Sequence, residues 1–71
     1  MDWWELVLRF ATKMIRRFED KERQGWSGFE DIPEPNYQER AIKNIRHGHY
    51  VDAANLCLLA EIARKALKEE E

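Results

Sequence analysis

At 71 residues the chain is one domain at most, and a domain of this size buries only about 60% of the surface its unfolded form exposes. A single cysteine, Cys57, excludes an internal disulfide, and no Cys/His array has structural-zinc spacing, so self-association is the expected extra source of stability. A formal charge of −2 excludes bulk attraction to nucleic acid, while 37% charged beside 44% apolar residues reads as a solvated helical surface over a real core.

The first element predicted is a helix from about Trp3 to Glu22. Asp2 is its N-cap, and Glu5 three residues on completes a capping-box pattern. Trp3, Val7, Phe10, Met14 and Phe18 form one apolar stripe, and Trp4, Leu8, Ala11 and Ile15 form a second beside it. Two stripes are wider than one small partner helix covers. This width predicts burial on two sides, by the chain's own helices and by a second copy. The polar side carries Arg9, Lys13, Arg16 and Arg17, whose like charges at i,i+4 are partly offset by Glu5 and Asp20. That strip reads either as a solvated face meeting the acidic tail Glu69, Glu70 and Glu71 or as a phosphate-attracting edge. No apolar run reaches the ~18–20 residues of a membrane span. The first nine residues mix acid and base without a small-residue cleavage site, so no leader is expected and a reduced, cytoplasmic setting is.

From Gln24 to Glu34 the helical period breaks in a Trp/Gly/Pro loop. Gly25 suits the left-handed residue that follows a helix. Trp26, Phe29 and Ile32 are expected to fold back over the core, which makes the segment a pinned loop, either a plain cover or a lid over a ligand. A short second helix is predicted from about Tyr37 to His47, with Asn36 as N-cap and Pro35 stopping any earlier start. Tyr37, Ala41, Ile42 and Ile45 make its buried side, with Glu39 and Lys43 facing away. Gly48 ends it, and the third helix follows at once, from Tyr50 to Lys68.

On that third helix Glu61, Arg64, Lys65 and Lys68 share one side, opposite Val51, Leu56, Leu59, Ile62, Ala63 and Ala66. Asp52 and Asn55 fall in the middle of the apolar side. An unpartnered polar group buried there costs roughly 1–3 kcal/mol, so both are either paired or used. At i,i+3 the two stand on adjacent turns, where they would hold a divalent cation or orient a phosphate, or else form a buried pair with Tyr37, Trp26 or a backbone end. His47 and His49 flank Gly48, a spacing too loose for a zinc site. A helix-turn-helix reading is disfavoured, since His49, Tyr50, Val51 and Asp52 would open a recognition helix poor in base-reading groups.

Two segments, Lys13–Trp26 (KMIRRFEDKERQGW) and Tyr50–Leu59 (YVDAANLCLL), together resemble the all-α nucleoside-triphosphate pyrophosphohydrolases, the MazG-like group with its phage dATP/dGTP diphosphohydrolase relatives. The resemblance implies a helical fold, obligate oligomers, and a (deoxy)nucleoside triphosphate bound through magnesium that helix-borne carboxylates hold. Carried onto this chain, Asp52 matches the metal-binding aspartate and Asn55 the asparagine after it, and His49 stands where a glutamate is usual. The preceding helix, which normally supplies paired glutamates, offers Glu39 alone, on the far side of the helical wheel. The expectation is therefore an all-α, three-helix domain, assembled at least as a dimer through its first and last helices. Asp52 and Glu39 are its candidate magnesium ligands. Asn55, His49, Arg9, Lys13, Arg16 and Arg17 are its candidate nucleotide contacts, with catalysis weakened or lost by the incomplete carboxylate set. A non-enzymatic interaction module is the alternative, and nucleic-acid binding through the Arg9–Arg17 strip the third reading.

Overall fold

The structure, a computed structural model, describes residues 2–26 and 31–69, with side chains to residue 66. It is all-α, with helices α1 (Trp3–Arg23), α2 (Glu34–Arg46) and α3 (Tyr50–Glu69). Among the described residues no helix is long and apolar enough to cross a membrane. Phe29 and the last two glutamates lie outside the described residues, as does the side chain of Glu69.

Local chemistry sets the helix ends. At the start of α1 the Asp2 carboxylate accepts from the Glu5 amide at 3.3 Å, as the capping pattern predicts. Both α1 and α2 end in the same motif. Gly25 and Gly48 take φ of 78° and 77°, a left-handed turn that a side chain would strain. In α1 the Gly25 amide donates to the Glu22 carbonyl and Trp26 to Lys21, both at 3.0 Å. In α2 Gly48 donates to Ile45 and His49 to Asn44. The His49 carbonyl in turn accepts from Ala53, so one residue closes α2 and opens α3.

The start of α2 departs from expectation. It begins at Glu34, with Pro33 as its N-cap residue and no side-chain cap. Asn36 and Pro35 are already helical. Proline is tolerated in a first turn because the N–H it lacks has no acceptor there. Pro35 therefore opens the helix and does not bar it.

α3 packs along α2 and over a shorter stretch against α1. The core is small: Tyr37, Leu59 and Ala60 are its centre, with Phe18, Trp26, Ile32, Leu56 and Ala63 packed around them. Trp26 and Ile32, on either side of residues 27–30, thus pack against the core. Ala41 and Ala53 are buried too. Ile42 and Ile45, expected inside, are exposed, because α2 has α3 on one side only and small alanines fill that contact. Cys57 is also exposed.

Within the single chain no residue of α1 is buried. The helix meets α3 and the core through Met14, Arg17 and Phe18. Trp3 and Trp4 stay 72% and 77% exposed, and Val7, Leu8 and Ile15 are open as well. At 21 residues α1 is about 31 Å long, so it overruns a core this small. The molecule is correspondingly elongated, 43 × 26 × 24 Å, with a radius of gyration of 13.5 Å against roughly 11 Å for a compact chain of its length.

Candidate functional site

The site is set where the C-terminal part of α1 meets α3, with α2 completing the wall. The turn after α1 directs Trp26 back along its own helix, leaving its ring 6.3 Å from that of Phe18 and 6.0 Å from the Lys21 ammonium. Arg17 and Lys21, one turn apart on α1, stand on the same side. α2 contributes Tyr37, Arg40 and Asn44 at i, i+3 and i+7, with Lys43 beside them. α3 supplies Asp52, Asn55, Leu56 and Leu59, again one helical face. Together these side chains line a cavity of about 290 Å³, near the lower limit of small-molecule sites. Its floor is apolar and aromatic, its charge mostly positive: four cations against one carboxylate.

That carboxylate is engaged. Arg17 Nε donates to Asp52 Oδ1 at 2.8 Å and Arg17 Nη2 to Oδ2 at 3.0 Å, a bidentate pair joining α1 to α3. The hydrogen bond from Asp52, then its charge, push the guanidinium's pKa further up. The pair is half open to solvent, so it contributes about 1 kcal/mol or less. Arg40 and Lys43 have no ion pair among the described residues.

Asn55 is the buried polar group of the site, 7% exposed. Its Nδ2 donates to the Met14 carbonyl of α1 at 3.3 Å. Its Oδ1 is buried without a hydrogen-bond partner. A lone acceptor of this kind costs roughly 1–3 kcal/mol, which an apolar side chain in its place would not.

Three of the residues singled out in the sequence, Asp52, Asn55 and Arg17, meet in this cavity; the others do not. His49 lies at the α2–α3 junction, exposed, its ring 6.1 Å from that of His47. Arg9 pairs with Glu5 one turn before it. Lys13, Arg16 and Glu39 are exposed and form no part of the wall. Lys43, expected to face away from the buried side, is exposed and lines the cavity beside Arg40 and Asn44. Lys21, Arg40 and Asn44 were not singled out. The spacing of Tyr37, Arg40 and Asn44 on one helical face, with Arg17 and Lys21 on another, is the signal that marks them.

The donor set does not fit a magnesium ion held by this chain alone. Magnesium takes near-octahedral oxygen coordination, usually through carboxylates and phosphates. Asp52 is the one carboxylate of the wall, and both its oxygens already accept from Arg17. Among the described residues no three His, Cys, Asp or Glu side chains gather to hold an ion. What the cavity can do chemically is to face an anion with fixed cations and an aromatic body with rings. No family model, no curated protein and no solved structure matches the chain.

Proposed function

We propose that the chain binds a (deoxy)nucleoside phosphate in this cavity and does not turn it over efficiently. One observation carries the reading: Arg40 and Lys43, with no ion pair among the described residues, join Arg17 and Lys21 around a cavity walled by Phe18, Trp26 and Tyr37. Cations paired with aromatic faces suit a ligand that is anionic at one end and flat at the other. The wall draws Arg17, Phe18, Lys21 and Trp26 from one segment that resembles the pyrophosphohydrolases, and Asp52, Asn55, Leu56 and Leu59 from the other. That the two segments meet supports common ancestry. The engagement of Asp52 by Arg17 supports loss of catalysis: the residue that matches the family's metal ligand serves here as a counter-ion. Any magnesium enters on the nucleotide's own phosphates.

Thermal melting with dATP, dGTP or inorganic pyrophosphate, with and without magnesium, tests this. A ligand present at 100 times its Kd stabilises the folded state by about 2.7 kcal/mol, a shift of several degrees in so small a domain. The expected result is a larger shift with a nucleotide than with pyrophosphate, since only the nucleotide reaches the rings. Asp52→Asn frees Arg17 for phosphate and is expected to keep or raise that shift, with no pyrophosphate released in either protein. No shift with any nucleotide overturns the proposal. Magnesium-dependent pyrophosphate release that Asp52→Asn abolishes overturns its non-catalytic part.

A further inference from the structure

The charge and the size of the cavity bear on how many phosphates it can take. Of its four cations, Arg17 is held by Asp52. That leaves Lys21, Arg40 and Lys43, which have no ion pair among the described residues. A phosphate monoester carries roughly 1.5 to 2 negative charges at pH 7, so three cations match it without a metal. Each further phosphoryl group adds at least one charge more. A triphosphate therefore outruns these cations and needs magnesium, which is usually seated on carboxylates as well as on the phosphates. Among the described residues the wall has no carboxylate to spare, since both Asp52 oxygens accept from Arg17. Volume points the same way. The cavity measures about 290 Å³. At the density of an organic crystal a deoxynucleoside monophosphate occupies about 350 Å³ and its triphosphate about 480 Å³. Small-molecule sites cover roughly 70–90% of the ligand they hold, a degree of enclosure that the first reaches here and the second does not.

We propose, resting on the nucleotide reading of the cavity, that the site selects a nucleoside monophosphate, bound without magnesium, over the corresponding triphosphate. The single phosphate is met by Lys21, Arg40 and Lys43, and the base by the rings of Phe18 and Trp26. Asp52 sets the selectivity through Arg17. By holding that guanidinium it withholds a fourth cation, and the free positive charge of the wall stays near what one phosphate needs. A specificity of this kind comes as much from charge left unmatched on the wrong ligand as from contacts to the right one.

Isothermal titration of dAMP, dGMP, dATP and dGTP, at constant ionic strength with and without magnesium, tests the selectivity. Each monophosphate that binds is expected to bind at least roughly tenfold tighter than its triphosphate. Magnesium is expected to change the monophosphate's affinity by less than about threefold. Asp52→Asn frees Arg17 and is expected to raise affinity for the triphosphate more than for the monophosphate, which narrows the preference. The far-UV spectrum of the variant shows that its helices are kept. A triphosphate that binds as tightly as its monophosphate, with or without magnesium, overturns the proposal and leaves the nucleotide reading standing. So does a monophosphate that binds only with magnesium, or a preference unchanged in Asp52→Asn. Binding of no nucleotide at all is the separate result that removes the nucleotide reading and the selectivity with it.

Discussion

Asn55 meets the Met14 carbonyl with its amide hydrogens and leaves its oxygen unpaired in a buried place. The Met14 carbonyl lies within α1, so it has a helical N–H in addition to Asn55. Losing Asn55 therefore strands nothing. Asn55→Leu is expected to change stability by less than about 1 kcal/mol in urea denaturation, or to raise it, because the orphaned oxygen goes as well. Asn55→Asp is expected to cost about 2 kcal/mol or more, since it buries a charge facing the same carbonyl. A large loss with leucine would mean that the hydrogen bond, and not the ligand, keeps the asparagine there. Asp52 differs in kind: its carboxylate is matched by Arg17 in the folded protein and needs no further partner.

At the scale of the helices, the start of α2 offers a direct check. Asn36 reads as an N-cap because an asparagine followed three residues later by a glutamate is a common helix opening. The helix instead begins three residues earlier, and Glu34 in its first turn pairs with Arg64 of α3 at 2.7 Å. Asn36→Ala is therefore expected to cost less than about 0.5 kcal/mol, where loss of a true cap costs about 1. A loss of a full kilocalorie in a chemical melt would restore the later start. Helix number, the glycine stops and the polar pair Asp52 and Asn55 were legible because each follows from neighbours within a turn or two along the chain. Arg17 meeting Asp52 was not, since 35 residues separate them and no periodicity records which faces meet. The place of Lys43 at the cavity was hidden for the same reason: a helical wheel says which residues share a side, not what stands beside it. Ile42 and Ile45 read as core because apolar spacing marks a face without saying whether anything covers it.

As a whole, the molecule is an α2–α3 pair with one long helix packed over part of its length against α3. The contact makes the cavity, and the overhang makes the open face. Both follow from a first helix longer than the core beside it. The cavity collects cations from α1 and α2 around one neutralised carboxylate, and that excess of positive charge is what a phosphate would answer. Isothermal titration of dGTP or dATP into the wild-type chain and into Arg40→Ala/Lys43→Ala tests this most directly. The account predicts one site per chain, weakened by added salt and at least roughly tenfold weaker in the double variant. No heat of binding, or equal affinity in the two proteins, would contradict it.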